Sequence, residues 1–303
     1  MLRLGYLGTK YRGSQRSAND IESIQGAVED TFKNIKHNGE SIFKNKPLLN
    51  LAGRTDAGVH ALCTTAHVDI DHNIEKDFED TILRMSNRYL LQNHHSIRLF
   101  TCHEVSPEFH ARYSAKLRTY LYRFMIPKNP NYHQIPISEH FRTVHFQPEF
   151  GSFDFEKLVK GMDLFRGTKD FKTFSARDYT MRDFFKGKHN SKVYIRTLDI
   201  KLEEATSLFP WDPLSEHYTY WHLVFTSRSF LYNQIRRITG ALQALGNNKV
   251  TENDILQMLE VPSHYNWNPR IVPSPPHGLY LKSVEYDEVD IKAISSEVKA
   301  DVD

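Results

Sequence analysis

The chain has 303 residues, 40% of them hydrophobic and 25% charged, a balance that fits soluble globular proteins and excludes disordered and fibrous classes. Its formal net charge of +2 hides an asymmetry, because residues 285–303 hold seven acidic side chains against Lys292 and Lys299, a net of −5 that leaves about +7 for the rest. Two cysteines, Cys63 and Cys102, cannot build a disulfide framework, and no apolar run reaches membrane-spanning length, so the expectation is a reducing compartment, cytoplasm or mitochondrion, with neither secretion nor a membrane span.

Strand character opens the chain at residues 2–6. A helix is predicted over 20–36, with Ile21, Ile24, Val28, Phe32 and Ile35 on one face and Asn19 or Asp20 as its cap. A short strand at 48–52, a glycine-bounded connection, a strand over 61–70, a helix near 75–91 and a strand over 97–105 complete the order βαββαβ. The order then repeats. A strand at 116–126 alternates Tyr120, Tyr122, Phe124 and Ile126 against Leu117, Thr119, Leu121 and Arg123. A helix over 153–165, strands at 193–204 and 219–227, helices over 229–245 and 251–260, and a closing strand at 278–286 follow. The expected fold class is therefore α+β, with two ferredoxin-like halves side by side. The expected domains are 1–108, 109–290 and an acidic tail at 291–303. Segments 127–151 and 180–191 lack a clear period and are expected as loops, the second carrying Arg182, Lys186, Lys188 and His189 as candidate phosphate contacts.

The glycine-bounded connection reads Gly53-Arg54-Thr55-Asp56-Ala57-Gly58-Val59-His60-Ala61. In an extended backbone positions i and i+2 project to the same side, so Arg54 and Asp56 can face one substrate while Gly53 and Gly58 let the chain bend around them. Asp-Ala-Gly alone is ordinary turn chemistry. The nine-residue string resembles the signature of the TruA family of tRNA pseudouridine synthases, whose single catalytic aspartate sits where Asp56 stands.

The resemblance recurs along the chain. Phe109-His110-Ala111-Arg112-Tyr113-Ser114-Ala115 and the following Arg118-Thr119-Tyr120 resemble the family segment whose tyrosine packs against the target base, which implies substrate contacts for Arg112 and Tyr120. The stretch from Ser229 to Gly240 reads as an amphipathic helix interrupted by two arginines. There the resemblance implies that Arg236 pairs with the catalytic aspartate, while Arg237 is expected to face solvent or phosphate. Pro275-Pro276-His277-Gly278-Leu279 resembles the segment leading into the family's last strand, which places Leu279 beside the substrate. Two departures stand out: Ser14 occupies a position where many members carry Trp, and Tyr232-Asn233 stands where bacterial members often have two histidines. Both leave the chemistry intact and bear on the choice of RNA target, and they place the chain on the eukaryotic pseudouridine-synthase-like branch. The resemblance further implies merged antiparallel sheets with a central cleft, tRNA as partner with other RNA left open, a homodimer, and no cofactor or metal.

Three rivals come from other classes. A non-catalytic RNA-binding module shares the architecture, but the intact Arg54-Thr55-Asp56 argues against it. A glycoside or nucleoside hydrolase would require a second carboxylate, and Asp69 and Asp71 read as strand-end residues. A zinc enzyme would use His60, Cys63 and His67, yet in a strand Cys63 faces away from His60.

Overall fold

The computed structural model of the chain describes residues 1–16, 22–37, 39–72, 77–149, 151–176 and 194–291. The basic stretch 180–191 and all but the first residue of the acidic tail lie outside the described residues. In chain order the elements are β1 (Leu2–Tyr6), α1 (Ile24–Asn34), β2 (Lys36–His37), β3 (Glu40–Ser41), β4 (Asn50–Leu51), β5 (His60–His67), α2 (Phe78–Gln92) and β6 (Ile97–Cys102). Then come β7 (Leu117–Pro127), β8 (Val144–His145), α3 (Phe155–Asp163), β9 (Gly167–Asp170), β10 (Ile195–Ala205) and β11 (Tyr218–Ser227). They are followed by α4 (Gln234–Gly246), α5 (Glu252–Glu260), β12 (Leu279–Glu285) and α6 (Glu288–Ile291). The result is a mixed α+β fold in two compact units, Met1–Thr119 with the described residues from Tyr280 on, and Tyr120–Leu279. The expected contiguous ranges 1–108 and 109–290 thus differ from the observed division, because the chain returns to the first unit for its last strand.

In the first unit β1 is flanked by β5 and β6, both antiparallel, and β4 pairs antiparallel with β5 at Asn50↔His67 and Leu51↔Ala66. The family resemblance implies antiparallel sheets, but the pairing is mixed. Strand β12 runs parallel to β5, with Tyr280↔His60 and Leu281↔Ala61 in register, as a strand can when it arrives by a long crossover instead of a hairpin. Helix α1 begins where Ser23 takes up an extended conformation and its hydroxyl accepts the Gly26 N–H at 3.0 Å. The cap is therefore Ser23, not Asn19 or Asp20. Ile24, Val28 and Phe32, spaced by four, are buried as one apolar stripe along the helix, and the Phe32 ring meets that of Phe43 edge-on at 5.3 Å.

In the second unit the strand order is β7-β11-β10-β9, with β8 added parallel to β7. Its core is aromatic: Tyr122, Phe124, Phe146, Phe165, Phe171, Phe174 and Phe225 are all fully buried. Helix α4 starts five residues later than the apolar stripe suggests. Asn233 sits in the left-handed region at φ 60, and the Gln234 side chain accepts the Leu231 N–H at 2.8 Å, so Phe230 and Leu231 belong to the turn that precedes the helix.

Candidate active site

The glycine-bounded connection runs between β4 and β5 in the first unit. Thr55 is 8% exposed, whereas Arg54 is exposed and Asp56 half-buried, a burial pattern that matches the alternation expected of an extended backbone. The chain then turns: the Val59 N–H donates to the Asp56 carbonyl at 3.1 Å, and Gly58 takes φ 80, a conformation that side chains with a Cβ rarely adopt.

What fixes this loop is the start of the chain. Thr55 is held on three sides, its N–H donating to the Ser14 hydroxyl at 2.8 Å, its carbonyl accepting the Ser14 N–H at 3.0 Å, and its own hydroxyl bonded to the Tyr6 hydroxyl at 2.8 Å. The Gly8 N–H donates to Nδ1 of His60 at 2.9 Å, and the His60 ring lies 4.5 Å from that of Tyr280. Gly8 is obligatory for a packing reason, since a Cβ there would stand 1.9 Å from the Val59 carbonyl oxygen. The segment from Gly13 to Arg16 is in turn stitched to α1: the Ile24 and Gln25 amides donate to the carbonyls of Gly13 and Ser14, and Arg16 meets the buried Glu29 at 3.0 Å. The carboxylate therefore rides on a loop tied through Thr55 to the first turn of a helix. Ser14, which stands where many members of the resembled family carry Trp, is itself completely buried.

The approach to the loop is held as well. Arg118 donates to the carbonyls of Ala52 at 2.8 Å and Arg112 at 2.9 Å, joining the 109–115 segment to the residue before Gly53. That segment is fixed from below, with the Ala111 N–H donating to Nδ1 of His67 at 3.1 Å and the Ala111 carbonyl accepting the Tyr286 hydroxyl at 2.6 Å. Burial pushes the Tyr286 phenol up to about 12 and lowers His67, so at neutral pH the first is an O–H donor and the second a neutral acceptor. Arg112 is exposed, its guanidinium 5.8 Å from the Tyr113 ring.

The remaining candidates lie in the second unit. The Arg236 Nε donates to the Ser274 carbonyl at 2.8 Å and Nη1 to the Asn233 side chain at 2.9 Å, so the asparagine that departs from the bacterial pattern orients the arginine. Arg237, expected to face solvent or phosphate, does not stand in open solvent. It is half-buried, donates to the Thr173 carbonyl at 2.9 Å and stacks 4.4 Å over the Trp267 ring, a cation–π contact that makes it part of the unit's packing. Tyr120 is 7% exposed and meets the Phe230 ring edge-on at 5.1 Å. Leu279 is 6% exposed. The preceding Gly278 lies under the Tyr122 ring, and the Tyr122 hydroxyl donates to the Pro275 carbonyl at 2.7 Å. His60 and His67 each use Nδ1 to accept a backbone amide, and among the described residues no group of three His, Cys, Asp or Glu side chains could hold a metal. None of the described helices is long and apolar enough to cross a membrane.

Comparison with known proteins extends the resemblance to the whole chain. The family model described as tRNA pseudouridine synthase matches residues 162–287. The chain is 31% identical over 298 residues to the tRNA pseudouridine synthase-like 1 of Xenopus laevis, covering 96% of this chain and 92% of the relative. It is 30% identical over 290 residues to the mouse protein of the same name, covering 94% and 92%. Its identity to the tRNA pseudouridine synthase A of Caulobacter sp. (strain K31) is 31% over 287 residues, covering 94% and 97%. With relatives alike over nearly their full length, the chain belongs to the TruA family of tRNA pseudouridine synthases, which are isomerases, on its eukaryotic pseudouridine-synthase-like branch.

Proposed function

We propose that the protein converts specific uridines of tRNA to pseudouridine with Asp56 as the catalytic carboxylate. The observation that carries this reading is the loop itself: Asp56 is half-buried beside the exposed Arg54, on a backbone clamped through Thr55. The isomerisation breaks the N1–C1′ bond and forms C5–C1′, while C5 gives up a proton and N1 ends carrying one. It therefore balances without redox change or hydrolysis, and the carboxylate acts on the nucleoside as nucleophile or base. A carboxylate in a water-poor site holds its charge only beside a cation, and Arg236 is the partner that family resemblance implies. Its two fixed hydrogen bonds suit a side chain that must hold one orientation. The target base must leave its stack, at a cost of a few kcal/mol that contacts recover. Arg54 and Arg112, both exposed, suit phosphate contact, and Tyr120 and Leu279 suit packing against the flipped base. Arg237, half-buried and stacked on Trp267, keeps phosphate contact as its proposed role.

The same reading covers the fold and the partners. The strand order β6-β1-β5-β4 of the first unit, with β1 and β5 central, supports a ferredoxin-like half, and we extend that topology to the second. The partners are tRNA and a second copy of the chain, in cytoplasm or mitochondrion. Asp56→Asn tests the core of the proposal. The variant should bind tRNA like the parent and form no pseudouridine; turnover within tenfold of the parent would refute the assignment, and a parent that binds tRNA without modifying it would return the non-catalytic module.

A further inference from the structure

We infer that Ser14 is a positioning residue for the reaction, setting the place of the Asp56 carboxylate through a two-point clamp on the neighbouring peptide. The inference rests on Asp56 being catalytic and adds a residue outside the signature string.

The clamp has unusual geometry for two residues 41 positions apart in sequence. The Ser14 hydroxyl accepts the Thr55 N–H at 2.8 Å, and the Ser14 N–H donates to the Thr55 carbonyl at 3.0 Å, so both backbone polar groups of the residue before Asp56 are spent on one serine. Tyr6 takes the third polar group, the Thr55 hydroxyl, at 2.8 Å. Ser14 and Thr55 are 0% and 8% exposed, so water cannot replace a lost partner. Ser14 is held from behind, its carbonyl accepting the Gln25 N–H at 3.0 Å in the first turn of α1. Thr55 and Asp56 share a peptide bond, and any rotation of the Thr55 backbone moves the carboxylate directly. An aromatic ring at position 14 could offer only its own backbone to Thr55; the serine adds a side-chain acceptor aimed at the Thr55 amide. The small buried hydroxyl thus fixes the loop from inside the unit.

Ser14→Ala removes the acceptor and leaves the Thr55 N–H buried and unpaired. Single-turnover kinetics on a tRNA substrate should show a loss of roughly tenfold to a hundredfold in kcat, the scale of an ångström-level misplacement of a catalytic group, with KM within about twofold of the parent. In an Asp56→Asn background the same change should leave tRNA affinity untouched. An unchanged kcat, or a rise in KM with kcat preserved, would overturn the inference. If Ser14→Ala does not fold, Ser14→Gly removes the same acceptor from the Thr55 N–H while keeping the backbone bond; normal kcat there would also overturn it. Asp56→Asn alone separates the two claims: an active Asp56→Asn sinks the underlying assignment, whereas a dead Asp56→Asn beside a fully active Ser14→Ala sinks only the role of Ser14.

Discussion

Gly8→Ala adds one methyl group to the first unit and should disable the loop that carries Asp56. The new Cβ would stand 1.9 Å from the Val59 carbonyl oxygen, 2.7 Å from its carbon and 3.2 Å from its nitrogen. All three are backbone atoms, so no rotamer relieves the clash, and the separation must open by roughly 1 Å or more to reach ordinary contact. Moving Gly8 away breaks its N–H bond to His60, and moving Val59 away pulls on the turn in which the Val59 N–H donates to the Asp56 carbonyl. Overpacking of this kind costs about 1–3 kcal/mol of stability, and a displacement of about 1 Å at a reacting group costs about a hundredfold in turnover. The assay is pseudouridine formation on tRNA beside a urea titration. Gly39→Ala is the control: Gly39 has φ 88 but an added Cβ would meet nothing within 4 Å, so it should lose about 1 kcal/mol to backbone strain and keep its turnover. Gly8→Ala working within threefold of the parent, at parental stability, would refute the argument that the amino-terminal glycine sets the loop.

In the second unit, Arg123 and Glu139 form a buried pair, 5% and 0% exposed, in which Glu139 also accepts from the Leu208 N–H at 2.7 Å. Arg123→Met leaves that carboxylate without its cation and should cost about 3–5 kcal/mol in urea denaturation; a loss under about 1 kcal/mol would show that the pair is not desolvated. Acid should destabilise the same unit through His145, whose pKa burial, followed by the nearby His133, pushes down to about 4. A histidine kept neutral by the fold contributes stability that is complete above its ordinary value near 6.5 and is lost as pH falls towards 4, by at most about 3 kcal/mol. The urea midpoint of His145→Asn should fall less steeply than the parent's over that window, and an identical slope would assign the loss to other groups.

The readable parts of the chain were those in which a residue's role depends on near neighbours in sequence. Strand β1 was legible to the residue from its apolar character, and the Arg54-Thr55-Asp56 alternation follows from the pleat alone. Strands β3, β8 and β9, two to four residues long, are too short to carry a period and fell within a predicted loop or went unread, and Lys36 of β2 fell at the end of a predicted helix. The start of α4 was misread because apolar spacing cannot register that Asn233 turns left-handed, with the Gln234 side chain accepting the Leu231 amide. The packing of Arg237 went unread for a related reason. Helical spacing gives the direction of a side chain but not what the fold brings to meet it, and Trp267 arrives from a loop thirty residues on.

The supports of Asp56 belong to this second class. The opening segment could be read as glycine-rich, yet the reason for its glycines lies some fifty residues away: Gly8 faces Val59, and a Cβ on Gly13 would stand 3.0 Å from the Thr55 carbonyl oxygen. A carboxylate is useful only where its position is fixed to a fraction of an ångström, and a glycine-bounded connection cannot fix itself, since the freedom that lets it bend also lets it wander. The order must come from elsewhere in the unit. It comes from Tyr6, Gly8 and Ser14, which contribute a phenol hydroxyl, a space and a small hydroxyl respectively, and whose positions are set by β1 and by the first turn of α1. In the proposed reaction the signature string carries the carboxylate, while the rigidity it needs is contributed by a segment with no reactive group of its own.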